Sequence, residues 1–134
     1  MGAAPRITIV GASLAGLRTA EAVLALLPEA QVTLIGDEAR VPYNRPPLSK
    51  EVPQALARDA AEAEAQFARL VLRSKIPDDA VQMRLGQAAV AVEGRAVRLA
   101  DDTLVPGDWI VAASGLRPRR LALPGAEAHR HVLR

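Results

Sequence analysis

A six-residue turn near the N-terminus has the residue types that hold a phosphate. It is GASLAG, residues 11–16, and it differs from the G-x-G-x-x-G fingerprint only by a serine at the middle position. The first glycine permits a tight strand-to-helix turn, a small middle residue lets the backbone approach a pyrophosphate, and the last glycine lets the helix pack closely. The helix N-terminus then favours the anion. The turn predicts dinucleotide binding, although the same glycines would also suit plain helix packing.

An acidic pair follows at a distance that suits a nucleotide ribose. Asp37 and Glu38 lie 21 and 22 residues after Gly16. A carboxylate at about that spacing can accept hydrogen bonds from the ribose hydroxyls. In another α/β protein, Asp37 would merely cap a loop.

The stretch YNRPPLSK, residues 43–50, ends in one of only two lysines in the chain. Pro46 and Pro47 fix φ and remove two N–H donors, so the stretch cannot form a strand or a helix interior. We expect an extended entry into a short turn over residues 48–52, which would hold Lys50 in place. Taken alone, a surface lysine is usually only a solvated charge.

The hydrophobic pattern places these residues on a βαβ unit. Residues 7–10 and 32–35 are short apolar runs typical of buried parallel strands. Between them, a helix begins at Leu14 and is stopped by Pro28. Its predicted apolar face consists of Leu14, Leu17, Ala20, Leu24 and Leu27, with Arg18 and Glu21 elsewhere.

The rest of the chain predicts further helix and strand. We expect a proline-rich loop over residues 36–53, a helix over 54–72, and strands over 81–85, 88–92, 96–99 and 109–113, with a hairpin turn at 93–95 and a last short strand near His131. The predicted fold is α/β: a Rossmann-like core with a parallel sheet, plus a small antiparallel β-meander.

Composition excludes several classes of function. The 134 residues are 50% hydrophobic and 24% charged, as in one soluble domain, and the net charge of +2 is too small to argue for nucleic acid. The absence of cysteine excludes disulfides, thiolate metal sites and a redox dithiol within the chain. His129 and His131 have no accompanying carboxylate cluster, so we predict no metal site. Neither a signal peptide nor a membrane span is apparent, and the expected location is the cytoplasm.

Three segments together resemble one known family: ITIVGASLAGLRTAEAV (7–23), VTLIGDEARVPYNRPPLSKE (32–51) and DWIVAASGLRPRRL (108–121). The combination is similar to the N-terminal FAD-binding segment of the NAD(P)H-dependent ferredoxin reductases. These include putidaredoxin and rubredoxin reductases and belong to the glutathione-reductase-like flavoproteins. The similarity covers most of the chain, is weakest at 53–80, and is most specific in the second segment.

The resemblance implies roles for the residues of the first two segments. The FAD pyrophosphate would be held by Gly11, Ser13, Leu14, Ala15 and Gly16. Asp37, alone or with Glu38, would bind the adenosine ribose, and Arg45 would lie over the adenosine side.

The same resemblance assigns residues further along. Lys50 would stand beside the isoalloxazine, and the backbone of Ala89 would contact the adenine. Ala113, Ser114 and Gly115 match the family's Ala-Thr-Gly, whose backbone lines the FAD. Arg134 matches an arginine that also contacts the cofactor.

Several features depart from the family pattern. Ser13 replaces a glycine, Ser114 replaces a threonine, Asn44 stands where aspartate is usual, and Trp109 follows Asp108 in place of a smaller or charged residue. Family members are also much longer, and the resemblance implies that residues 1–134 correspond to an incomplete FAD-binding domain, without the family's NAD(P)H-binding and C-terminal domains.

Three functions therefore remain open. The resemblance implies an FAD-binding portion, over residues 1–134, of an oxidoreductase that passes electrons from NAD(P)H to a ferredoxin or rubredoxin. The second is a truncated module that binds FAD or ADP without reductase activity. The third is an NAD-binding sensor or dehydrogenase subunit, against which the YNRPPLSK loop argues because it has no role in a simple NAD fold. We expect no NADH-dependent activity from this chain alone.

Overall fold

The computed structural model describes residues 2–77 and 79–116. In chain order the elements are β1 (Arg6–Val10), α1 (Leu14–Leu26), β2 (Gln31–Ile35), a 3₁₀ helix (Pro46–Ser49), α2 (Glu51–Leu56), α3 (Ala60–Ala68), β3 (Val81–Arg84), β4 (Ala89–Glu93), β5 (Ala96–Leu99), β6 (Leu104–Pro106) and β7 (Trp109–Ala112).

The strands form two sheets. Four parallel strands are ordered β3-β2-β1-β7, and three antiparallel strands are ordered β4-β5-β6. The predicted α/β fold, with its parallel sheet and antiparallel meander, is confirmed. The third strand of the meander, β6, was missed because only three residues form it and Pro106 is one of them.

Alternate residues of β1 face two separate apolar clusters, as the period of two in a strand requires. Ile7 and Ile9 pack with Ala20 of α1 on one side of the parallel sheet. On the other side, Val10 packs against a cluster that contains Ile35 and the buried meander residues Val97, Leu99 and Val105. The central strand is therefore covered on both faces, which fixes its carboxyl end and the turn that follows it.

The predicted apolar face of α1 is only partly correct. Leu17 and Ala20 are buried, but Leu14 is 52% exposed and Leu27 is 41% exposed. Glu21, which we expected elsewhere, is buried. Its carboxylate accepts hydrogen bonds from Arg18 Nη1 at 2.7 Å and from the backbone N–H of Lys75 at 2.9 Å. These partners lower the pKa of Glu21, the Arg18 hydrogen bond most, and they compensate for burying the charge.

Residues 36–72 differ from the prediction in two respects. Pro46 and Pro47 begin a 3₁₀ helix instead of an extended entry, because a helix's first positions need no N–H donor. The single helix predicted over 54–72 is two shorter helices, since Asp59 adopts extended backbone (φ −160°, ψ 141°) at the start of α3. The chain leaves α3 at Ala68, and Val71 then forms a β-bridge to Tyr43.

Within the described ranges, no helix is long and apolar enough to cross a membrane. The strand predicted near His131 lies outside the described residues, as do both histidines.

Candidate functional site

The carboxyl ends of three parallel strands meet at the glycine turn. The N–H of Gly11 donates to the carbonyl of Ile35 at 2.8 Å, and the N–H of Ala113 donates to that of Val10 at 2.7 Å. A Cβ on Gly11, whose φ is +120°, would lie 2.1 Å from the carbonyl oxygen of Ala113. A Cβ on Gly16 would lie 1.9 Å from the carbonyl oxygen of Gly11. Both glycines are therefore required by close backbone approach.

The first turn of α1 presents unused donors. Ser13 is the N-cap residue, and its carbonyl accepts the N–H of Leu17 at 2.9 Å, but its side chain makes no capping hydrogen bond. The N–H groups of Leu14, Ala15 and Gly16 have no acceptor among residues 2–77 and 79–116, as expected at a helix start. No acidic residue occupies this turn. The turn can therefore accept an anion, which the helix dipole would favour.

A cleft opens beside this turn, between the ends of β1 and β2. It is lined by Gly11, Ala12, Ser13, Gly36, Asp37, Glu38, Arg45, Ala113 and Ser114. The structure thus brings together residues that the sequence assigned to one nucleotide from four separate stretches of the chain.

The two acidic residues of the cleft are not equivalent. The Tyr43 hydroxyl donates to Oε2 of Glu38 at 2.7 Å, and Arg45 donates to Oε1 at 2.6 Å. Asp37 is exposed, and its carboxylate has no hydrogen-bond partner in the described part of the chain. Of the pair, Asp37 is the one free to accept hydroxyl donors from a ligand.

The Glu38–Arg45 ion pair contributes more to orientation than to folding. The side chains of Arg45 and Glu38 are 58% and 41% exposed. An ion pair in such an environment stabilises a protein by about 0–1 kcal/mol. It does, however, fix the direction in which the guanidinium points.

The loop that carries these residues is fastened to α3 and to the strand-like segment after it. The ring of Tyr43 lies 4.8 Å from the ring of Phe67, centroid to centroid. The guanidinium of Arg40 lies 4.1 Å above the Phe67 ring and pairs with Glu64 at 3.5 Å. The N–H of Asn44 donates to the carbonyl of Leu70 at 2.8 Å.

Phe67 was assigned no role from the sequence. Composition was the one indication available, because the chain has only one Tyr and one Phe. In a chain with so few aromatic residues, the two rings are candidates to pack against each other.

The remaining predicted residues are placed as follows. Lys50 is exposed at the junction of the 3₁₀ helix and α2 and is not among the cleft residues. Ala89 begins β4 and packs against the meander-side cluster. Gly115 follows Ser114 with φ +74°. Their cofactor contacts stay predictions, and Arg134 lies outside the described residues.

Comparison with known proteins decides the family. Residues 5–134 match the model of the pyridine nucleotide-disulphide oxidoreductase family. The chain belongs to this family. Its 134 residues include no cysteine, so they contain no redox disulfide.

Individual members of this family give the same picture. The chain is 40% identical over 132 residues to the probable ferredoxin reductase CtmF of Castellaniella defragrans, covering 93% of the chain and 30% of that protein. It is 38% identical to the ferredoxin–NAD(+) reductase component of the anthranilate 1,2-dioxygenase system of Burkholderia cepacia, covering 90% and 30%.

Among solved structures, the putidaredoxin reductase–putidaredoxin complex superposes with a TM-score of 0.69 at 31% identity, covering 90% of this chain and 28% of that one. The predicted resemblance to ferredoxin reductases is confirmed. The chain spans about 30% of the length of the relatives it matches.

Proposed function

We propose that this chain is the FAD-binding portion of an NAD(P)H-dependent reductase that delivers electrons to a ferredoxin or a rubredoxin-type acceptor. One observation carries the proposal: the turn of Gly11, Ala12 and Ser13, which leads directly into the free N–H groups at the start of α1, lines the same cleft as the unpaired Asp37. That combination suits a pyrophosphate next to a ribose. The relatives named as ferredoxin reductases support the reaction class.

The residues present fit a flavin dinucleotide. Close backbone contacts at Gly11 and Gly16 keep side chains out of the turn. The N–H groups of Leu14, Ala15 and Gly16 would donate to the pyrophosphate, and Asp37 would accept from the ribose hydroxyls. FAD, when bound, supplies the conversion of a two-electron hydride transfer into single-electron transfers.

We assign Lys50 a catalytic role in this proposal. Its ammonium group would stand beside the flavin and stabilise the charge that develops there. The two prolines at the start of the 3₁₀ helix restrict the backbone that leads to it.

The test begins with flavin binding. The purified chain, titrated with FAD, should retain a yellow flavin whose visible spectrum is perturbed relative to free FAD. The decisive variant is Ser13→Asp, because aspartate is a preferred N-cap residue that should preserve folding while its charge repels the pyrophosphate. Ser13→Asn is the matched control, since it is also a good N-cap but carries no charge. FAD binding that Ser13→Asp leaves unchanged would place the cofactor elsewhere.

A second assay addresses the alternatives. A truncated module without reductase activity would bind FAD but would not pass electrons from NADH to a dye. An NAD-binding sensor would bind NAD more tightly than FAD. We expect FAD binding without NADH-dependent dye reduction, because every residue assigned to a cofactor in this proposal is assigned to FAD and none to a nicotinamide. FAD binding tighter than NAD binding would exclude the NAD-binding sensor.

A further inference from the structure

We propose that Glu38 and Tyr43 are positioning residues, which hold Arg45 at the nucleotide cleft, and that of the adjacent pair Asp37 and Glu38 it is Asp37 that contacts the ribose. This inference rests on the proposed function. It divides the roles of two adjacent acidic residues that the sequence alone could not separate.

The first step of the argument is the occupancy of the Glu38 carboxylate. Each of its two oxygens already accepts a short hydrogen bond, one from the Tyr43 hydroxyl and one from Arg45. A ribose hydroxyl would have to share or displace one of these donors. Asp37, one residue away on the same cleft, has no such donor in the described part of the chain.

The second step concerns how firmly Arg45 is held. Its guanidinium lies 5.7 Å from the centroid of the Tyr43 ring in addition to its bond to Glu38. A guanidinium attracted to a ring face and bonded to a carboxylate has few other orientations. Its remaining N–H groups can then serve an anionic ligand, for which the planar fork is well suited.

The third step is that Tyr43 is itself immobilised. Its ring packs on Phe67 of α3, and its backbone is bridged to Val71. The pKa of the phenol is raised, mainly by burial and secondly by the hydrogen bond to Glu38. The positive charges of Arg45 and Arg40 act in the opposite direction. A continuous series of contacts therefore runs from α3 through Tyr43 and Glu38 to Arg45.

The experiment uses variants that keep the net charge. In Glu38→Asp the shorter carboxylate cannot reach both Tyr43 and Arg45, and Tyr43→Phe removes only the hydroxyl. Each should weaken FAD and ADP binding by about three- to tenfold, the range for one ordinary hydrogen bond, because the lost bond orients Arg45 and does not itself contact the ligand. The double variant should be little worse than Glu38→Asp alone, because both changes break one chain of contacts. Thermal unfolding should change little, since the Glu38–Arg45 ion pair is largely exposed and Tyr43→Phe keeps the ring that packs on Phe67.

The readout that separates positioning from direct contact is discrimination between ADP and 2′-deoxy-ADP. The wild-type chain should prefer ADP. Asp37→Asn should lose this preference, whereas Glu38→Asp and Tyr43→Phe should keep it while binding both nucleotides more weakly. Loss of the preference in Glu38→Asp would make Glu38 a ribose ligand and overturn the proposal.

A measurement without nucleotide checks the contact itself. Tyr43 is the only tyrosine, so its ultraviolet titration needs no assignment. Glu38→Gln should lower the pKa of the phenol, and an unchanged titration would contradict the contact. A wild-type chain that binds neither FAD nor ADP would overturn the proposed function together with this inference. Nucleotide binding that Glu38→Asp and Tyr43→Phe leave unchanged would overturn this inference alone.

Discussion

At the scale of single residues, the backbone around the glycine turn leaves no room for a side chain at Gly16. A Cβ there would lie 1.9 Å from the carbonyl oxygen of Gly11 and 2.9 Å from Cδ1 of Leu34. Gly16→Ala should therefore force backbone shifts and destabilise the fold by about 1–3 kcal/mol or more. Urea unfolding followed by circular dichroism measures this. Gly2→Ala is the control, because a Cβ at Gly2 meets nothing within 4 Å; equal effects of both changes would contradict the packing argument.

A second residue-scale prediction concerns Asp108, which joins the starts of β1, β5 and β7. Its carboxylate accepts hydrogen bonds from the side chain of Arg6, the backbone N–H of Arg6 and the side chain of Arg95, at 3.0, 2.9 and 3.0 Å. The Arg6 side-chain hydrogen bond is the main cause that lowers the pKa of Asp108 to about 2.

A lowered pKa means that the folded state favours the ionised carboxylate. This contribution to stability is complete above the unfolded pKa of 3.8 and is lost as the pH falls toward about 2. The unfolding free energy of the wild type should therefore drop more steeply between about pH 5 and pH 2 than that of Asp108→Asn. Asp79→Asn, at an exposed turn residue, is the control, and parallel curves for Asp108→Asn and the wild type would contradict the ion pairs.

Residue types predicted the tight glycine turn better than they predicted the hydrogen bonding of the acidic pair. The spacing of Gly11 and Gly16 is a local property, so the pattern was sufficient. That Glu38 is hydrogen-bonded and Asp37, among the described residues, is not depends on where Tyr43 and Arg45 lie in space, and this follows from a loop conformation that the periodicity of the sequence does not predict.

At the scale of elements, the parallel strands and α1 were predictable because each is a periodic apolar segment. The division of residues 51–68 into α2 and α3 was not, since alanine-rich sequence favours helix throughout and only Asp59 interrupts it. The buried Glu21 was also missed. Its burial depends on Lys75, which lies 54 positions further along the chain.

The attachment of α3 to the cleft loop should depend on Phe67. Phe67→Leu keeps an apolar side chain but removes the contacts to the Tyr43 ring and the Arg40 guanidinium, a loss of about 0.5–1.5 kcal/mol for the aromatic pair. Hydrogen exchange at the N–H groups of Asn44 and Leu72 should accelerate, because these groups bond across the same junction. Leu56→Ala, on α2 at a side chain that is 62% exposed, should leave both N–H groups protected, and the same protection in Phe67→Leu would show that α3 is held by other contacts.

At the scale of the whole molecule, the strands of the parallel sheet differ in how many neighbouring strands they pair with. The inner strands β1 and β2 are hydrogen-bonded on both sides, whereas β7 pairs only with β1 among the described residues. Trp109 on this edge strand is 70% exposed, and its neighbour Val111 belongs to the apolar cluster beside α1. Parallel sheets are normally buried on both faces, so the exposure of this tryptophan is unusual for a strand of such a sheet.

An open, apolar edge strand favours association between copies. The chain should therefore associate as its concentration rises, and Trp109→Glu should reduce this, because a charged side chain on an edge strand opposes edge-to-edge pairing. Sedimentation velocity at several concentrations measures it. Leu26→Glu, on α1 at a side chain that is 81% exposed, adds the same charge away from the edge and should leave association unchanged. If both substitutions reduce association equally, the change in net charge is the cause, and the proposed association through the edge of β7 is wrong.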